Sequence, residues 1–201
     1  MARKASLGRI SAGVWPGITM VTPRKRSLPS KANGRLVCAT VPSAGESAVP
    51  CTDEWINPNE TVAIELNDGR VMLNVRSESK AHRRLVTISP DGASQWSTPK
   101  FDDALLEPIC MGGIVRYKHD GKSLILFSNP HNLEKEKGKA EPGKNRDRKN
   151  VSVKLSYDES ATWPVSKTVE PGFSGYSDLA VANDGTILLF YERGSTDGKD
   201  I

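Results

Sequence analysis

An all-β fold is predicted for this chain on three observations: short runs rich in β-branched and apolar residues, hairpin-type dipeptides between them, and no stretch of helical period. Taken in order, Asn33-Gly34 precedes the run from Arg35 to Val41, and Asp68-Gly69 separates Thr61 to Leu66 from Val71 to Val75. Asp91-Gly92 closes Arg84 to Ile88, and Asp120-Gly121 joins Ile114 to Tyr117 with Leu124 to Phe127. Val151 to Leu155 follows, and Asp184-Gly185 lies between Leu179 to Ala182 and Ile187 to Tyr191. Glycine and aspartate supply the turn conformations that L side chains adopt only at a cost, so each dipeptide marks a place where the chain reverses.

One turn-bearing segment recurs. Ser156-Tyr157-Asp158-Glu159-Ser160-Ala161-Thr162-Trp163 has the form of an Asp box, and Ser89-Pro90-Asp91-Gly92-Ala93-Ser94-Gln95-Trp96 repeats it in degraded form, with Ser, Asp and Trp in register. Repetition favours stacked blades over a sandwich. The box chemistry is structural: a Ser or Asp side chain bonds the turn backbone, and the Trp packs under the hairpin. Asp158, Trp163, Asp91 and Trp96 are therefore given no catalytic part.

Composition bounds the function classes. The 201 residues are 37% hydrophobic and 26% charged, with 17 Gly and 13 Pro, the profile of an ordinary globular chain. The net charge of +4 is concentrated in a basic stretch at 131–149, which glycine and proline interrupt, so it reads as a solvated insertion loop. No nucleic-acid-binding motif accompanies the charge, and nucleic acid is not expected as a partner. Cys38, Cys51 and Cys110 form neither a C-x-x-C pair nor a cluster with histidine, which gives no support for a metal. A Cys38–Cys51 disulfide requires export, and buried free thiols fit as well. The basic start at Met1 to Lys4 is followed by Ser11, Gly13, Pro16 and Gly17 where a leader needs an apolar run, so no cleavable signal is expected. No window reaches the ~20 apolar residues of a membrane helix. The compartment is not legible.

The informative motifs lie farther along. Gly175-Tyr176-Ser177-Asp178-Leu179 places a tyrosine between small residues. Asn59-Glu60-Thr61 leads through a strand–turn–strand unit to Arg76-Ser77, so that an acid and a cation stand at opposite ends of one hairpin unit. Ser128-Asn129-Pro130 follows an apolar strand, and Arg148-Lys149-Asn150-Val151-Ser152-Val153 enters the first Asp box. In this order, from Glu60 to Glu192, about two thirds of the chain resembles the sialidase (exo-α-neuraminidase) family of glycoside hydrolases. The resemblance implies a six-bladed β-propeller. At roughly 40–50 residues per blade the chain would supply about four blades, a partial propeller forming one domain over 1–201 with a poorly matched segment at 1–33.

What the resemblance implies about chemistry is specific. A sialic acid bears a carboxylate on its anomeric carbon, so a neutral phenol approaches it without the like-charge repulsion that an Asp or Glu nucleophile would meet. Sialidases with a tyrosine nucleophile are known exceptions to the two-carboxylate rule of glycosidases. Tyr176 matches that nucleophile and Glu60 its base, since a phenol of ordinary pKa near ~10 needs a proton acceptor and a cationic field. Arg76 and Arg148 match the second and third arginines of a triad that clamps the carboxylate. Arg146 competes with Arg148, which is preferred for its Asn-Val-Ser-Val continuation. Glu192, in Phe190-Tyr191-Glu192, matches a glutamate that orients the first arginine. No residue before Glu60 matches that first arginine or the acid/base aspartate; Asp53, the one aspartate there, has unfitting surroundings. Asp178 reads as a turn hydrogen-bonder, and His82, His119 and His131 are given no role. The expected substrate is a sialylated glycan, glycoprotein or glycolipid, with no cofactor. The alternatives are a non-catalytic sialoside-binding or remnant propeller module, and a propeller scaffold for protein partners.

Overall fold

The computed structural model describes the backbone of residues 18–20, together with residue 49 and residues 51–194. Among these, ten strands and no helix are found: β1 (Ile18–Met20), β2 (Asn59–Glu65), β3 (Val71–Arg76), β4 (Arg83–Ser89), β5 (Lys100–Leu106), β6 (Gly113–His119), β7 (Lys122–Pro130), β8 (Lys149–Ser156), β9 (Val165–Val181) and β10 (Ile187–Arg193). The fold is all-β, as expected. Strands β2-β3-β4-β5 form one antiparallel sheet, and a second sheet runs β1-β10-β9-β8-β7-β6. Along β9 the pairing changes hands: residues up to Phe173 pair with β8, and those from Ser174 onward pair with β10. The second sheet is thus one four-stranded unit followed by the opening of another, the arrangement of successive propeller blades. The described residues make two four-stranded units and part of a third; the rest of the expected four rests on residues outside the described set.

Apolar layers form between the units. Leu124 and Leu126 of β7 join Val151, Val153, Leu179 and Leu189 in one layer, while Ile125 and Phe127, on the opposite face, join Ile64, Met72, Leu105 and Trp163 in another. Period-2 alternation puts β7 side chains into both layers, which is why its run reads as continuously apolar. A third cluster of Val49, Val75 and Leu85 covers the far face of the first sheet.

The turns explain the boundaries. Asp120 and Gly121 have φ of 48° and 73°, left-handed at both positions as a two-residue type I′ hairpin between β6 and β7 requires. In the first box, Asp158 accepts hydrogen bonds from the Thr162 N–H at 2.8 Å and the Ser156 hydroxyl at 2.8 Å. Ser160 adopts φ 70° where a glycine would be unstrained. Trp163 packs on Phe127, ring centres 5.9 Å apart, and donates to Asp102 at 2.9 Å. Asp91 repeats the pattern with Ser89, Ala93 and Ser94. Glu159, φ 57°, reaches across the seam between the two sheets and accepts from the Asn67 N–H at 2.8 Å and, through both oxygens, from Arg116 at 2.9 and 2.8 Å.

Several sequence expectations need adjustment. The run Arg35 to Val41 lies outside the described residues, as does Cys38 and with it any pairing to Cys51, which is exposed; Cys110 is buried. Strand β5 and the first half of β9 were not anticipated. Lys100-Phe101-Asp102-Asp103 is too polar to read as a strand, and it is recruited by pairing with β4, with Leu105 as its buried anchor. Pro171 and Gly172 suggest a break in β9, and they do interrupt the β8–β9 ladder, lying unpaired at the register shift between Glu170 and Phe173, just before the partner changes to β10. Residues 131–148 connect β7 to β8, and most of them are exposed; Asn132 donates to the Glu134 and Asp147 carbonyls, and the Gly143 N–H donates to His82 Nε2 at 3.0 Å. His82, expected to sit in a polar stretch, is buried. No helix among the described residues is long and apolar enough to cross a membrane.

Candidate active site

Glu60 sits in a β-bulge. Asn59 pairs with Arg76 and Thr61 with Val75, so Glu60 is the extra residue, and its φ of 32° turns its side chain back toward Arg76 at the end of the partner strand. This bulge lets the acid and the cation at opposite ends of one hairpin unit meet. Arg76 Nη1 donates to Glu60 Oε2 in a short ion pair and lies 3.3 Å from the Tyr176 hydroxyl, which itself donates to Glu60 Oε1 in a short hydrogen bond. An acid, a cation and a phenol from two sheets therefore share one hydrogen-bonded cluster.

Tyr176 is fixed by the small residues around it. Ser177 exchanges a hydrogen bond with Ser128 at 2.9 Å, locking the strand to the Ser-Asn-Pro end of β7, and Ser174 accepts from the Val151 N–H at 3.0 Å. Gly113 permits the approach of β6: a Cβ there would stand 2.9 Å from Asp178 Cα and 3.0 Å from Ser128 Oγ. Arg148 enters from the residue before β8. Its Cζ lies 5.2 Å from the Tyr176 ring centre, within cation–π range, and its Nη2 donates to the Ile109 carbonyl at 2.8 Å. Glu192, on exposed β10 backbone, accepts from the Tyr176 N–H at 3.0 Å, so among the described residues it steadies the tyrosine's own backbone. Asp178 is exposed and caps the Leu179 N–H.

The electrostatics follow from this geometry. Burial alone would raise Glu60, but hydrogen bonds from Tyr176 and Arg76 and the charges of Arg76 and Arg148 outweigh it and hold the carboxyl below its usual value. Burial, then the hydrogen bond to Glu60 and its charge, holds the Tyr176 phenol above its ordinary value against the pull of the two arginines. Burial works against the Arg76 cation as well, and the Glu60 contact more than compensates. At neutral pH the proton thus rests on the phenol and points at an ionised carboxylate. Arg76 Nε is buried with no hydrogen-bond partner among the described residues, a donor beside the cluster with capacity to spare.

Sequence reasoning missed a second layer below the cluster. Arg84 and Glu107 form an ion pair at 2.5 Å with both side chains fully buried. Arg84 also donates to Asn74 Oδ1 at 2.6 Å, and Glu107 accepts from the Cys110 N–H at 2.8 Å. Burial pushes the Cys110 thiol up to about 12. The available signal was the strand period of β4, which places Arg84 on the same face as the core-packed Val86 and Ile88, since a charge at a core position needs a buried counter-ion. Neither these groups nor any others among the described residues form a cluster able to hold a metal ion.

Comparison with known proteins places this geometry in context. Residues 5–189 match the family model described as a BNR repeat-like domain. A sialidase of Micromonospora viridifaciens is 32% identical over 146 residues, which cover 70% of this chain and 21% of that protein. A sialidase of Bacteroides fragilis is 29% identical over 144 residues, 68% of this chain and 24% of that one. The chain therefore spans about a fifth to a quarter of the length of these relatives. Among solved structures, the NanB sialidase of Streptococcus pneumoniae superposes with a TM-score of 0.57 over 75% of this chain and 22% of that one; at 16% identity the likeness concerns the fold.

Proposed function

Since this chain belongs to the sialidase family through its BNR repeat-like domain, we propose that it acts on terminal sialic acid glycosides, as an exo-α-sialidase that retains anomeric configuration. The observation that carries the reading is the Glu60–Tyr176–Arg76 cluster with Arg148 stacked on the phenol. Tyr176 Oη attacks the anomeric carbon as the bond to the leaving oxygen breaks, and its proton passes to Glu60 Oε1. Water then displaces the phenol from the sugar, Glu60 returns the proton to the tyrosine oxygen, and the proton that water gives up passes through solvent to balance the departed anionic leaving group. Two inversions give net retention. Arg76 and Arg148 hold the sugar carboxylate by charge-assisted hydrogen bonds. An anion bound to Arg76 weakens that residue's grip on Glu60, so substrate binding raises the basicity of the proton acceptor at the moment it is needed.

No matched residue protonates the leaving oxygen, a step commonly worth about 10²–10⁴ in rate. An aryl sialoside, whose leaving group needs no proton, therefore isolates the part played by Tyr176 and Glu60 from that of any acid at the leaving oxygen. Release of the aryl group and of sialic acid from a natural glycan, each compared with Tyr176→Phe, tests the reading. Release that depends on Tyr176 is expected, and equal release from both proteins dismisses it. Binding of free sialic acid without any release would instead favour a non-catalytic sialoside-binding module.

A further inference from the structure

The fully buried Arg84–Glu107 pair takes no part in the proposed chemistry. Yet it grips the backbone of one residue from both sides: Glu107 Oε1 accepts from the Cys110 N–H at 2.8 Å, and Arg84 Nη1 donates to the Cys110 carbonyl at 3.0 Å. The guanidinium is itself anchored to β3, through Asn74 Oδ1 at 2.6 Å and the Asn74 carbonyl at 3.2 Å, two residues before Arg76. The residue preceding Cys110 is Ile109, held at φ 65°, a conformation that a β-branched side chain adopts only when its surroundings over-determine it. The Ile109 carbonyl is the group that receives Arg148 Nη2 at 2.8 Å. A continuous path therefore runs from the buried pair, through a strained turn, to the guanidinium that lies over the Tyr176 ring.

We propose that Arg84 and Glu107 are positioning residues for Arg148: they fix the 107–110 turn so that the Ile109 carbonyl holds the Arg148 guanidinium over the phenol. Stability alone is a poor account of such a pair, because apolar side chains of similar volume commonly serve a core as well or better than a desolvated ion pair. Geometry is a better one, since the arginine fork bonds Asn74, Glu107 and Cys110 simultaneously and fixes their relative places. The inference rests on reading Arg148 as a carboxylate-binding group for its consequence in function, but the positioning itself is measurable in the ligand-free chain.

The experiment uses the full chain and two readouts. Proton cross-relaxation between the Arg148 side chain and the Tyr176 ring, assigned through its loss in Arg148→Ala, reports the stacking. Calorimetric titration with free N-acetylneuraminic acid reports the consequence. In the double variant Arg84→Met with Glu107→Leu, the chain is expected to stay folded with a lowered melting temperature, because the buried Cys110 and Asn74 groups lose their partners, while the cross-relaxation disappears and affinity falls about tenfold, the loss of one charge-assisted hydrogen bond. A purely structural pair would lower the melting temperature alone; an intact cross-relaxation signal in the folded double variant overturns the proposal. Should that variant not fold, Arg84→Lys decides, since it keeps the charge pair but cannot fork across Glu107 and Cys110. Weakened stacking supports the proposal, and unaltered stacking overturns it. A wild-type chain that shows the stacking but binds no sugar acid refutes the functional reading and leaves the positioning role intact.

Discussion

Replacing Arg148 separates its charge from its shape. In the resting site its Nη2 is committed to the Ile109 carbonyl and its face to the Tyr176 ring, which leaves its remaining N–H groups for a ligand carboxylate. Arg148→Ala removes one charge-assisted hydrogen bond to the ligand, about 1.5–3 kcal/mol, while the cation–π contact to Tyr176, present in the free chain as well, bears on stability and not on affinity. The hydrogen bond alone corresponds to a roughly 13- to 160-fold loss of affinity for free sialic acid. Arg148→Lys keeps the charge, but a single ammonium cannot serve the Ile109 carbonyl and a carboxylate with the same geometry, so it should recover only part of that loss. Isothermal titration of the wild type and both variants, with melting curves to establish folding, supplies the comparison. Equal affinities for wild type and Arg148→Ala would refute the assignment of this arginine to the carboxylate.

The other expectations concern the base, acid stability and thiol chemistry. Glu60→Gln removes the proton acceptor while leaving an uncharged side chain of the same size, so turnover of an aryl sialoside should drop about 10²- to 10⁴-fold, and steady-state kinetics showing a smaller drop would argue against Glu60 as the base. Burial holds the His82 imidazole below its ordinary pKa against the bond from its Nδ1 to the Glu107 carbonyl, and burial acts on His131 in the same direction. As pH falls through about 6.5 the unfolded chain takes up protons that the folded chain refuses, so the melting temperature should decline from about pH 7 to pH 5. Glu60, with its depressed folded pKa, adds a further loss only at lower pH, as the acid passes through that folded value. Melting curves that stay flat over the upper range would contradict the histidine account. A buried Cys110 thiol pushed up to about 12 should resist alkylation at pH ~8, where exposed Cys51 reacts; peptide mass mapping that finds Cys110 labelled in the folded chain would show that the turn beneath the site opens.

Much of the fold was legible because its signals are local. The short apolar runs Val71 to Val75 and Leu124 to Phe127, bounded by turn dipeptides, were readable as strands, and Asp120-Gly121 needed only the dihedrals that a tight hairpin demands. Strand β5 escaped because its reason for being extended lies in another strand: Phe101 faces Leu85, and nothing in Lys-Phe-Asp-Asp announces that pairing. The candidate site divides the same way. Glu60, Arg76, Arg148 and Tyr176 could be named from the order of motifs, but the bulge that turns Glu60 round and the stacking of Arg148 are tertiary facts. Arg84 and Glu107 are separated by 23 residues, and their pairing depends on β4 and on the turn after β5 meeting in space. The bond from Glu192 to the Tyr176 backbone likewise follows from the β9–β10 register.

Glu60 and Arg76 belong to one sheet and Tyr176 and Arg148 to the other, with Glu159 fastened to Asn67 and Arg116 along the boundary. Neither sheet owns a working set of groups. On the proposed chemistry the boundary is thus a checkpoint: each half stays idle until the two are docked. A loosened Glu159 fastening acts at a distance, diluting the population in which phenol and carboxylate meet, and would register first as lost turnover, ahead of any change in strand content.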